Sequence, residues 1–86
     1  MASQLRSASV TSTWTALTSL PAKNVSIRND TGAALLIRKA AETTSGYNIS
    51  LPDGGSVGIS VVANAAEIEI SAAAAGPTVG VSYIAD

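Results

Sequence analysis

Apolar side chains two residues apart recur through the second half of the chain. Tyr47-Asn48-Ile49-Ser50-Leu51, Val57-Gly58-Ile59-Ser60-Val61, Ile68-Glu69-Ile70 and Val79-Gly80-Val81-Ser82-Tyr83 all follow this beat. A period of two puts these side chains on one face of a pleated strand and Ser, Asn, Gly or Glu on the other. The pattern starts earlier, at Val25-Ser26-Ile27-Arg28 and Leu35-Leu36-Ile37-Arg38. About six such strands, with turn signals at intervals of roughly eight to twelve residues, predict an all-β protein: a small antiparallel β-sandwich or jelly-roll-like barrel.

The punctuation predicts connections. Asn29-Asp30-Thr31-Gly32 combines side chains that bond their own backbone with a glycine open to positive φ, and predicts a hairpin between its flanking strands. Pro52-Asp53-Gly54-Gly55 predicts a second, between Tyr47–Leu51 and Ser56–Val62, with Ile59 pointing inward. Ala40 to Gly46 reads as a loop, and Asn64-Ala65-Ala66 as a turn into a strand over Glu67–Ser71. Ala72-Ala73-Ala74-Ala75 is too short to meet the nucleation cost of a helix before Gly76-Pro77 and reads as a compact loop; Thr78 to Ile84 is the last strand.

Residues 1–22 read differently. They are rich in Ser and Thr, and Trp14, Leu17 and Leu20 recur every third residue up to Pro21. This spacing suits an extended N-terminal arm laid over its own domain or a neighbour, ahead of a sandwich domain over 23–86. Trp14, Leu17 and Leu20 are its candidate partner-docking residues.

Composition narrows the chemistry. Eighty-six residues make one small domain with a marginal core. The chain has no Cys and no His, which removes disulfides, thiolate metal sites and the usual general base. With no Phe, one Trp and two Tyr, aliphatic side chains must fill the core, a situation that favours self-association or docking on a larger body. The net charge of −1 gives no general pull toward nucleic acid or an anionic membrane. Residues 1–39 hold all five basic residues and only Asp30 as an acid, whereas residues 40–86 hold Glu42, Asp53, Glu67, Glu69 and Asp86 and no base. Pairing of early with late strands would let these charges complement across a sheet. Alternatively, the two signs lie on opposite flanks and match a neighbouring subunit. The start, Met1-Ala2-Ser3-Gln4-Leu5-Arg6, lacks the apolar core of a secretory leader, and no uncharged stretch reaches the length of a membrane span. The sequons at Asn24, Asn29 and Asn48 are then expected to be accidents of composition.

Candidate chemistry is sparse. Asp30-Thr31-Gly32-Ala33 matches the Asp-Thr-Gly-Ala signature of aspartic proteases, and a chain this short resembles the retroviral homodimeric type, where paired carboxylates activate water. A solvated turn explains the motif with fewer assumptions, since Arg28-Asn29 replace the apolar residues that precede the Asp in that family. Glu67 and Glu69 fall short of a Ca²⁺ site and read as an outer face. Tyr47, Tyr83 and Trp14 could make a sugar-stacking platform, but read better as edge and core anchors. Gly54-Gly55-Ser56-Val57-Gly58 lacks the Lys and helix of a phosphate loop. No catalytic, metal or cofactor residue is expected.

The order Trp14-x-x-Leu17-x-x-Leu20-Pro21-Ala22-Lys23, Val25-x-Ile27-x-Asn29-x-Thr31-Gly32, Leu51-Pro52-Asp53-Gly54-x-Ser56-Val57, Asn64-Ala65 and Val79-x-Val81-x-Tyr83 resembles small virion proteins of tailed bacteriophages. Those are short β-sandwiches that decorate capsids or form head fibres, tail tubes or adhesin tips. The resemblance implies a virion location and a non-enzymatic role: decorating or cementing a capsid, or forming a head fibre. The implied partners are copies of the chain itself, with a trimer favoured, and a larger protein lattice such as a capsid; neither nucleic acid nor membrane is expected. A tail-fibre, receptor-binding or tail-tube module is the alternative, and the homodimeric protease through Asp30 a remote one.

Overall fold

A computed structural model describes residues 4–42, 48–72 and 78–86. It contains strands β1 (Gln4–Val10), β2 (Thr15–Ala16), β3 (Asn24–Asn29), β4 (Leu35–Lys39), β5 (Ile49–Leu51), β6 (Ser56–Ser60), β7 (Ile68–Ala72) and β8 (Thr78–Ala85), with one 3-10 turn at Ala65–Glu67. Two four-stranded sheets result, ordered β1-β8-β3-β6 and β2-β7-β4-β5.

Both orders have a single origin. β1 pairs with β8, β2 with β7, β3 with β6 and β4 with β5, all antiparallel. The chain is thus one long two-stranded ribbon, doubled back between β4 and β5 and rolled so that successive segments alternate between sheets. The further ladders β3–β8 and β4–β7 then seal each sheet. This is a jelly roll, the eight-stranded double-sheet solution of the β-sandwich expected from the alternation. Val25, Ile27, Val81 and Tyr83 from one sheet and Leu35, Ile37, Ile68 and Ile70 from the other are buried in the shared core.

The ribbon also explains the charge asymmetry. It lays the basic first half of the chain along the acidic second half, and Arg38 on β4 meets Glu69 directly opposite on β7 at 2.8 Å.

Neither expected hairpin forms. β3 and β4 lie in different sheets, as do β5 and β6. Asn29–Gly32 and Pro52–Gly55 are instead adjacent corners at which both strands of the ribbon cross the sandwich together. The Asn29 N–H donates to the Gly55 carbonyl at 2.9 Å, and the Gly54 N–H to the Asn29 carbonyl at 2.6 Å. Gly32 and Gly54 do adopt positive φ, 87° and 80°. A residue that permits a sharp bend does not specify which strand lies beyond it. The β4–β5 hairpin closes around the stretch read from the sequence as a loop. Within that stretch residues 43–46, with Tyr47 and the alanines at 73–75, lie outside the described residues.

Residues 4–22, expected as an arm beside the domain, lie within it. β1 forms an edge of the first sheet, and Val10, Leu17, Leu20 and Ala22 are core residues, so residue 22 marks no boundary. Periodicity hid β1 because its apolar Leu5 stands opposite Ile84 on the outward face, while charged Arg6 stands opposite buried Tyr83.

Candidate functional site

The polar residues that could carry chemistry gather at the ribbon's corners. At the first, Asn29 is wholly buried. Its Nδ2 donates to the carbonyls of Ala33 at 2.8 Å and Leu51 at 2.9 Å, and its Oδ1 accepts from the Thr31 N–H at 3.1 Å and hydroxyl at 2.7 Å. A buried amide with both ends satisfied fixes the local path, because any other path would leave polar groups unpaired in the core. Asp53 accepts from the Gly32 N–H at 2.9 Å, tying the two turns together. Asp30 points outward and pairs with exposed Arg28 at 2.8 Å, while its N–H donates to the Gly80 carbonyl. Gly80 has φ 113°, and a Cβ there would strike the Asp30 carbonyl. The Asp-Thr-Gly motif is therefore a corner braced on three sides, with its carboxylate turned to a neighbouring guanidinium.

The second corner joins Leu20-Pro21 to Asn64–Glu67. Asn64 Oδ1 accepts from the Ala66 N–H at 2.9 Å and the Leu20 N–H at 3.1 Å, capping the 3-10 turn and stitching the two strands of the ribbon at once. Glu67 completes a capping box: its carboxylate accepts from the N–H groups of Val62, Ala63 and Asn64 at 2.7–2.8 Å. The Val62 and Ala63 bonds foremost, helped by Asn64 and nearby Lys39, hold its carboxyl below the usual glutamate range. Glu67 and Glu69 do not share a face as expected, since Glu67 lies in the 3-10 turn and Glu69 pairs with Arg38.

The aromatics part company. Tyr83 is fully buried and its hydroxyl accepts from the Thr18 N–H at 3.2 Å, so it can join no exposed platform. Trp14 is half-buried, with the Arg38 guanidinium 4.2 Å from its ring centroid. Arg38 is held between that ring and Glu69, an arrangement that desolvation strengthens. Of the three candidate docking residues, Leu17 and Leu20 lie in this chain's own core, and Trp14 alone keeps part of its surface exposed.

Two surfaces stand out among the described residues. Leu5 and Ile84, 66% and 43% exposed and directly opposite each other, form an apolar pair on the outer face of the first sheet, bordered by Ser26, Ser56, Ser82 and Arg28 along a shallow groove. On the β5/β6 side the two sheets leave a cleft of about 320 Å³ between Ile37, Ile49, Ile59 and Ile68, with Lys39, Glu42 and Asn48 beside them. Among the described residues no three of His, Cys, Asp and Glu come together as metal ligands. Sequence reasoning read Asn29 as a turn residue but not as a buried brace, and passed over the roles of Gly80 and the Leu5–Ile84 pair; the Asn64-x-x-Glu67 capping box was the one missed feature with a local signature. No protein-family model matches this sequence, and neither does any curated protein.

Proposed function

We propose that this protein is a non-enzymatic structural component of a tailed-bacteriophage virion, decorating or cementing a capsid lattice as a self-associating subunit. The observation that carries the reading is where its polar groups go. Asn29, Asp53, Asn64, Glu67, Arg38 and Glu69 all engage the fold itself, and what is left for a partner is surface, above all the exposed Leu5–Ile84 pair. The jelly roll lends support by analogy, since viral capsid domains use it, as do lectins and cupins. With Leu17 and Leu20 inside the core, docking by the N-terminal residues falls to Leu5 on β1 and to Trp14. Many such weak contacts repeated by symmetry would give high avidity without a strong single site.

The test is the composition of particles. Virions from a phage carrying this gene, purified on a gradient and analysed by mass spectrometry, should contain the chain in many copies. A Leu5→Asp/Ile84→Asp variant, folded because both side chains already face solvent, should load poorly onto them. Particles devoid of the chain would overturn the proposal.

A further inference from the structure

Open strands must be protected from pairing with other chains, and the usual means are shortness, charge, proline and bulges. Three of the four sheet edges have such protection. β1 carries Arg6 and a register irregularity between Ala8 and Val10, β2 is two residues long, and β5 is three residues long and runs into Pro52. β6 has none of these: Ser56-Val57-Gly58-Ile59-Ser60 is five residues in even register with β3, without a charge or a proline.

The direction of its backbone groups follows from its neighbours. The Gly55 carbonyl accepts from Asn29 and the Val61 N–H donates to Lys23, so Gly55, Val57, Ile59 and Val61 face β3. Ser56, Gly58 and Ser60 therefore aim their N–H and C=O groups away from the sheet. Among the described residues only Lys39 reaches this row, its ammonium donating to the Ser60 carbonyl at 2.9 Å.

The sequence of β6 reads nearly the same in both directions about Gly58. An antiparallel copy centred on Gly58 would set Gly58 against Gly58, Ser56 against Ser60 and Val57 against Ile59. With the outward groups on Gly58, the central pair is a hydrogen-bonded one, and about six backbone bonds form across the axis. Val57 and Ile59 then occupy the close, non-hydrogen-bonded positions, where β-branched pairs pack best. Both are only half-buried at present, and Ile59 lines the cleft beside Ile49, itself 49% exposed. The charges nearest the strand also complement. Lys23 and Lys39 sit at the Ser60 end, bonded to the carbonyls of Val62 and Ser60; at the Ser56 end Arg28, opposite Ser56, is paired with Asp30, which leaves Asp53 as the unbalanced charge. Antiparallel pairing turns each lysine end toward the partner's aspartate end.

We infer that the β6 edge is a two-fold interface with a second copy of this chain, joining two four-stranded sheets into one of eight strands. The inference deepens the assembly reading by naming its contact. A five-residue edge covers less surface than a stable complex needs, so the contact belongs at the weak end of specific association.

Sedimentation of the purified chain, up to roughly 1 mM, should show a species of twice its 8.6 kDa mass. Gly58→Pro removes an outward N–H while leaving the bonds to β3, and space is open around that position, where a Cβ meets only Ser26 Oγ at 3.9 Å. This variant should be folded by circular dichroism and monomeric, whereas Gly58→Ala should still dimerise. Concentration-dependent protection of the Ser56, Gly58 and Ser60 amides from hydrogen exchange should accompany dimerisation, and decides the matter if the proline variant fails to fold. A monomer at every concentration, association unchanged by a folded Gly58→Pro, or amides unprotected in the associated state would each overturn the β6 interface. A chain monomeric in solution yet abundant on particles would sink the interface and leave the virion role standing.

Discussion

The ribbon crosses the sandwich three times, and the two crossings that lie wholly within the described residues are built on opposite principles. At Asn29–Gly32 the central brace is neutral and buried, with the Asp53 carboxylate only an exposed outer tie: one amide makes four hydrogen bonds, and Gly80 lies so close that a methyl group would not fit. At Asn64–Glu67 the brace is half-exposed and partly ionic, a carboxylate collecting three backbone N–H groups beside a capping amide. The first should fail abruptly when its amide is lost, because each unpaired group left behind stays in the core. The second should weaken gradually and respond to acid, because water can replace what is lost.

The largest effect is expected from Gly80→Ala, which attacks the buried corner from its neighbouring strand. A side chain at φ 113° is strained and meets the Asp30 carbonyl, so a loss of about 4 kcal/mol or more, near the whole stability of a small domain, should appear in urea unfolding. Asn29→Ala should cost about 3 kcal/mol by stranding the Leu51 carbonyl and the Thr31 N–H; a loss under about 1 kcal/mol would show that water enters the corner and that the contrast between the two is false. Asn64→Ala should cost roughly 1–2 kcal/mol, since it removes a cap and the acceptor for Leu20 N–H. Trp14→Ala should cost less, about 0.5–1 kcal/mol, through the cation–π contact with Arg38.

The subtlest test is acid. The folded pKa of Glu67 is lowered, so the unfolded chain takes up the proton first as pH falls. Its contribution is complete above the ordinary glutamate value of about 4.3 and is lost as pH drops through the lowered folded value. Melting temperatures between pH 6 and pH 2 should therefore depend less on pH in Glu67→Gln than in the parent. Equal slopes would mean that the carboxylate does not hold the second corner.

The corners also show what could be read locally. Asn29-Asp30-Thr31-Gly32 and Pro52-Asp53-Gly54-Gly55 were legible as bends, and Asn64-x-x-Glu67 matches a known capping pattern. Their pairing across the sandwich was not legible, because Gly54 and Asn29 meet only after the ribbon rolls. β1 was missed for a related reason: Ala8 faces the core weakly, and Leu5 faces outward, so alternation gave no consistent side. Leu17 and Leu20 looked like docking residues because spacing reports that side chains share a side, not whether the cover is this chain or another.

From β3 onward the alternation by itself determined that this chain forms strands and, in β3, β4, β7 and β8, which side chains face inward, since that follows from the two-residue repeat of an extended backbone. Only the tertiary structure decided which sheet each strand joins, that the turns are corners, and that basic and acidic halves lie side by side. Those outcomes depend on contacts between residues far apart in sequence, such as Arg38 with Glu69, whose free energy no local window contains.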